Sequence, residues 1–198
     1  MLGREQHGEA RAGRITSSVA GLLLTGSKAS WEKLARHLDV PPPFHEARGG
    51  ALLEGVKNEP IIARRFLQRH PEVTALTNPT LVYHHDPKHP HFDLIASSPD
   101  RMADGIPVEI KHATKAERFT KLTRHFNNRA VPGEHLSQVT WHAWMTGTNR
   151  CWFVVATQKQ YAEILWQRDD LSFVDELLER FIQQYRTFSI TGARPCLQ

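Results

Sequence analysis

The chain of 198 residues has only two cysteines, Cys151 and Cys196, far apart in sequence. That spacing excludes a disulfide framework, a zinc site and an iron–sulfur centre, and it fits a reducing compartment. No apolar run reaches the ~20 residues that a membrane helix needs. The opening segment MLGREQHGEARAGR lacks the apolar core of a secretory signal. The expectation is a cytoplasmic protein with no membrane partner. Internal repeats and low-complexity segments are absent too. Charge of one sign is in small excess, a net +4, which permits a polyanionic partner without demanding one. Hydrophobic residues make up 40% and charged residues 23%, an ordinary globular balance. The length suits a single domain over residues 1–198 with a real core.

Apolar spacing and breakers then place the elements. Residues 17–24 predict a short helix with Thr16 as N-cap, and residues 30–38 a second, ended by Pro41-Pro42-Pro43. Residues 51–70 predict a longer helix that Pro60 should kink or restart. Strands are predicted over 80–84, 92–97 and 106–111, with Asp104-Gly105 as a tight turn. A basic helix over 115–126 and a helix over 134–145 follow. Two strands over 151–157 and 161–167 and an amphipathic helix over 172–188 close the chain. The order implies a mixed α/β fold with a central sheet flanked by helices.

The chemically informative stretch is SSPDRMADGIPVEIKH, residues 97–112. If the chain turns at Asp104-Gly105, side chains two apart on the following strand share a face. Glu109 and Lys111 then point one way, and Val108 and Ile110 point into the core. Asp100 ends the preceding strand and can approach Glu109 across the hairpin. Two carboxylates and a backbone carbonyl offer hard oxygen ligands suited to Mg2+ or Mn2+. Such an ion polarises a phosphoryl oxygen and generates hydroxide near neutral pH, and a second ion about 4 Å away stabilises the leaving oxygen. A lysine beside them can orient the attacking water. The same letters also describe a half-exposed strand with its polar face in water. Pro107, which cannot donate to a ladder, belongs at an edge or a strand start.

Four motifs in order carry a resemblance. They are Arg11-Ala-Gly-Arg-Ile-Thr-Ser-Ser18, Gly55-Val-Lys-Asn-Glu59, Ser98-Pro-Asp100 with Glu109-Ile-Lys111, and Gln138 within HLSQVTWHAWMTG. Over residues 11–188 the chain resembles the phage lambda exonuclease (YqaJ-like alkaline exonuclease) family. The resemblance implies a restriction-endonuclease-like, PD-(D/E)XK α/β fold. It implies a Mg2+-dependent 5′→3′ exonuclease, with two ions per site, that digests linear double-stranded DNA and leaves a 3′ overhang for strand annealing. It also implies a homotrimeric ring, a single-strand annealing partner, and a bacterial or phage-encoded origin. Carried over by residue, Asp100 and Glu109 bind metal through carboxylates and Ile110 through its carbonyl, while Lys111 positions the water. Glu59 completes the acidic cluster through water on the metal, and Gln138 holds the attacking water or the scissile phosphate. Arg11, Ser18 and Ser98 grip the terminal 5′-phosphate. A tryptophan common in the family four residues before that arginine is His7 here.

Arginine suits phosphate because its planar fork bonds two oxygens, and Ser17 and Ser18 fall where a helix is predicted to begin, an anion-favouring place. Lys115, Arg118, Lys121 and Arg124 recur every three residues as a basic stripe that could track a DNA backbone, or equally a solvated face. The run of residues 84–91, HHDPKHPH, could suggest a transition-metal site, but a loop with two prolines is a poor rigid chelator. Trp141 and Trp144 are expected in the core or against a neighbour. Another nuclease of the same fold, with endonuclease or repair activity, and a DNA-binding module without catalysis are the competing readings.

Overall fold

The structure is a computed structural model that describes residues 11–39, 50–79 and 81–188. Two short helices come first, α1 (Ala20–Leu24) and α2 (Lys28–Asp39), then the long α3 (Gly50–Arg69). The strands β1 (Leu76–Thr77), β2 (Arg101–Ala103) and β3 (Ile106–His112) follow, then α4 (Ala116–Thr123) and α5 (Gly133–Thr146). The last described elements are β4 (Arg150–Ala156), β5 (Tyr161–Gln167) and α6 (Ser172–Phe188). The five strands form one sheet in the order β1-β2-β3-β4-β5. Among the described strands only β3 and β4 pair in parallel, with α4 and α5 in the crossover between them.

Alternation along the strands explains the layering. Val108 and Ile110 of β3 and Val154 and Ala156 of β4 pack on Ile62, Ala63 and Phe66 of α3. The opposite face carries Phe153 and Val155, which join Trp141, Leu23, Leu34, Leu178 and Phe181 in the larger core. The sheet therefore has helices on both faces, and β3 lies inside it with both sides covered.

The hairpin on which the site depends forms as expected. Arg101 pairs with Val108, Met102 with Pro107 and Ala103 with Ile106. The turn holds Asp104 at φ 46° and Gly105 at φ 83°, the left-handed pair that a two-residue hairpin requires. Asp104 is further tied by the backbone N–H groups of Thr74 and Ala75 and the Thr74 hydroxyl. Pro107 lies in the part of β3 before pairing with β4 begins at Val108, so its missing N–H costs no bond on that side.

Four expectations need correction. Residues 92–97 are not a strand: Phe92–Leu94 is a 3-10 turn, and Ile95 and Ser97 make single bridges to Ile15 and Val82. Residues 81–84 likewise contribute only the Val82 bridge, and Thr80 lies outside the described residues. The strand before the turn is instead the short β2. α3 runs through Pro60 as one helix, so the chain does not restart there. Pro60 and Val56 are exposed, so water can reach the carbonyl that loses its donor at Pro60. Finally, α1 begins only at Ala20, with Val19 as N-cap and no side-chain cap bond. Thr16 and Ser18 turn their hydroxyls to each other instead. The helix is also too short for an anion site at its N-terminus, which removes that support for a phosphate role. The predicted Pro41-Pro42-Pro43 terminator and Cys196 lie outside the described residues.

Candidate active site

β3 delivers Glu109 and Lys111 to the face that α5 covers. Glu109 is only 4% exposed, so this is not a strand with its polar side in water. A buried carboxylate needs partners on both oxygens, and it has them. Lys111 Nζ donates to Oε1 at 2.5 Å, and His142 Nε2, from α5, donates to Oε2 at 2.9 Å. Burial alone would raise this carboxyl, but the His142 bond and the Lys111 charge outweigh it and hold it at about 2. Lys111 mirrors this: burial pulls its ammonium down, but Glu109 more than compensates and leaves it raised.

Asp100 precedes β2 and meets β3 across the hairpin, where its Oδ2 accepts the Ile110 N–H at 2.6 Å. Its environment is the reverse of Glu109's. Burial, and then the nearby carboxylates of Glu109 and Glu59, raise its ionisation well above the ordinary range. Glu59 reaches the same corner from α3 but gives its carboxylate to the Arg101 guanidinium, which also bonds the Asp100 carbonyl oxygen. Among the described residues, no three His, Cys, Asp or Glu side chains converge on a point where an ion could be held. The structure thus brings Asp100, Glu109 and Lys111 together as expected, with Glu59 alongside and paired to a cation.

Gln138 lies on α5, where its Oε1 is 3.1 Å from His135 Nδ1. His135 stacks at a tilt on Phe153, the Glu109 neighbour in β4. Burial and the Lys111 charge lower its ionisation. Arg11 and Ser18 are brought together, the guanidinium donating to Ser18 Oγ at 3.1 Å. The Ser98 hydroxyl is buried with no hydrogen-bond partner. Lys115 caps α4 and lines, with His112, Thr114, Glu117, Arg118 and Lys121, a cavity of about 560 Å³. The predicted basic stripe is partly neutralised there, since Arg118 and Lys121 lie 3.0 and 3.8 Å from Glu134.

Two histidines of the 84–91 run hold its loop in place. His89 pairs with Asp175 at 3.1 Å and His91 with Glu179 at 2.8 Å, which straps the loop onto α6. Trp141 and Trp144 are buried, with their indole N–H groups given to the Ala96 carbonyl and Asp175. Sequence reasoning missed His142, Ser97, His135 and Arg101. A signal existed for two of them: His135, Gln138 and His142 fall at i, i+3 and i+7 and so share one face of α5.

The fold and this acid cluster define a restriction-endonuclease-like α/β protein of the PD-(D/E)XK type. Residues 6–149 match the YqaJ-like viral recombinase domain, and the chain belongs to that family. No curated protein matches it in sequence. Among solved structures it is similar to an alkaline exonuclease from Laribacter hongkongensis, LHK-Exo, with TM-score 0.73 and 21% identity over 92% of this chain and 93% of that one. LHK-Exo in complex with dAMP is similar at TM-score 0.71 and 20% identity, again over 92% and 93%. A phage-related exonuclease from Haemophilus somnus 129PT follows at TM-score 0.64 and 13% identity, over 90% and 95%. No described helix is long and apolar enough to cross a membrane.

Proposed function

We propose that this chain is a Mg2+-dependent exonuclease that digests one strand of linear double-stranded DNA from its 5′ end to mononucleotides and leaves a 3′ single strand for annealing. The observation that carries the reading is the buried juxtaposition of Asp100, Glu109 and Lys111 on one hairpin in a chain of the YqaJ family. The residues fit a divalent ion. Asp100 and Glu109 carboxylates and the Ile110 carbonyl are hard oxygen donors, and for Asp100 burial and two further carboxylates outweigh the nearby Lys111 charge, so a cation would be favourable there. When bound, Mg2+ or Mn2+ supplies Lewis acidity at the phosphoryl group, and the family resemblance favours a pair of ions.

The chain's own residues do the rest. Lys111, fixed against Glu109, presents its charge where an attacking water would stand. Gln138, with its carbonyl engaged by His135, has its amide NH2 to donate to that water or to a phosphate oxygen. Glu59 and Arg101 close the acidic side. Arg11, Ser18 and Ser98 hold the terminal 5′-phosphate, and the partnerless Ser98 hydroxyl has a hydrogen to give it. Lys115 and Arg118 contact the DNA backbone beyond. A homotrimeric ring and a single-strand annealing partner belong to the same reading.

The test is digestion of linear duplex, nicked circular and closed circular DNA with Mg2+ or with EDTA. The expected result is loss of linear duplex alone, release of mononucleotides and no reaction in EDTA. Cutting of closed circles would point to an endonuclease, and binding without any cutting to a module that lost catalysis.

A further inference from the structure

None of the roles above uses His142, although it is fully buried and in direct contact with Glu109. Its ring is fixed from both ends. Nε2 donates to Glu109 Oε2 at 2.9 Å, and Nδ1 lies 2.6 Å from Ser97 Oγ. With Nε2 facing the carboxylate and Nδ1 facing the Ser97 hydroxyl, the ring's orientation is set from both sides. Ser97 cannot drift, because its backbone exchanges two hydrogen bonds with Val82, at 2.7 and 2.8 Å. The preceding residue of the helix, Trp141, donates to the Ala96 carbonyl at 2.8 Å. Two successive residues of α5 thus clamp two successive residues of the segment leading to Asp100.

We propose that His142 is a positioning residue that holds the Glu109 carboxylate in its cation-binding rotamer, with Ser97 as the anchor that orients the imidazole. This rests on the nuclease reading. Lys111 secures one oxygen of Glu109, but its side chain is a quarter exposed. His142 secures the other oxygen from a position solvent does not reach. A group that orients a metal-binding carboxylate is worth about 10- to 100-fold in metal affinity or rate.

Substitution by two amides tests this. Glutamine places its amide nitrogen where Nε2 stands, and asparagine where Nδ1 stands, so His142→Gln keeps the bond to Glu109 and His142→Asn keeps only the one to Ser97. Both have similar polarity, so a packing role does not predict a preference that follows Glu109. Mn2+ binding by calorimetry, the Mg2+ half-saturation of cleavage and thermal unfolding are measured for each. His142→Gln is expected to stay close to wild type, and His142→Asn to lose about 10- to 100-fold in Mn2+ affinity or rate. Equal behaviour of the two variants overturns the proposal. If His142→Asn does not fold, Ser97→Ala decides: it leaves the imidazole without its anchor, and unchanged Mn2+ affinity overturns the proposal. Wild-type protein that binds Mn2+ but cuts no DNA refutes the nuclease reading alone, and the order of Mn2+ affinities still judges His142. Wild-type protein that binds no Mn2+ refutes both.

Discussion

Asp100 is where the site works against the fold. Its carboxyl is raised well above the usual range by burial and by the carboxylates of Glu109 and Glu59. A carboxyl whose folded value lies above its unfolded value favours the native state in acid and loses that contribution as pH rises through the folded value. In metal-free protein the cost of ionising Asp100 in this setting therefore weighs against the structure as pH rises. Asp100→Asn removes the charge and keeps an oxygen for the Ile110 N–H, now accepted by Oδ2 at 2.6 Å. The expected gain is about 1–2 kcal/mol, as for other substitutions that relieve a functional conflict. For a chain of this length that raises the unfolding midpoint by about 2–8 °C.

Asp100→Ala is the control. It removes the same charge but leaves the buried Ile110 N–H without an acceptor, at a cost of about 1–3 kcal/mol, so no net gain is expected. Thermal unfolding in EDTA, followed from acid to alkaline pH, should show the Asn gain growing as pH rises and vanishing in acid. Added Mg2+ should stabilise wild type through preferential binding to the native state and narrow the difference, while Asp100→Asn cuts no DNA. An Asn variant no more stable than wild type near neutral pH in EDTA, or one whose advantage grows towards acid, refutes the reasoning.

Lys111→Met should abolish cleavage while DNA ends still bind. The charge it removes helps hold Glu109 at about 2 rather than the ordinary 4.5. That depression stabilises the fold above the ordinary carboxylate range and is lost as pH falls towards 2, so the stability gap to wild type should be wide at neutral pH and close in acid. A gap independent of pH would contradict this account of Glu109. Arg11→Ala should slow digestion of 5′-phosphorylated ends more than of 5′-hydroxyl ends, and equal slowing would remove its phosphate role. Gly147→Ala forces a side chain into φ 65° with its Cβ 2.8 Å from the His85 ring. It should destabilise by at least about 1–2 kcal/mol, read as a lower unfolding midpoint, and a neutral effect would mean that the α5 exit relaxes freely.

The sequence was most legible where one local rule decides the outcome. Asp104-Gly105 announces a tight hairpin because few other residues tolerate left-handed conformations in succession, and the alternation of Val108, Glu109, Ile110 and Lys111 follows from strand geometry. The last three elements are legible too, since residues 151–157 are a short, almost continuous apolar run, residues 161–167 a second strand-like run and residues 172–188 an amphipathic helix. Residues 92–97 misled because apolar content does not distinguish a ladder from a crossing. Ile95 and Ser97 are buried by single bridges to two different segments, a tertiary arrangement no local window records. Pro60 misled in the other direction, towards a restart: Pro60 and Val56 are both exposed, and the helix continues through them. His142 was overlooked although it is four residues from Gln138, because a histidine among two tryptophans reads as core until the strand opposite is known to carry Glu109.

The same strand letters fit a solvated edge and a catalytic centre, and burial separates the two. Water would satisfy the polar face of an edge strand, and Asp100 and Glu109 would then ionise alike. Under α5 and α3 they diverge. Glu109 is compensated on both oxygens by Lys111 and His142 and is held ionised, whereas Asp100 has a single backbone amide on Oδ2 and two acidic neighbours. Opposite shifts in adjacent carboxyls are the pattern by which a site divides labour between like groups. One acid is a standing charge set by the protein. The other carries a charge that burial and two acidic neighbours disfavour, so a bound cation would relieve it and link ion binding to the stability of the fold.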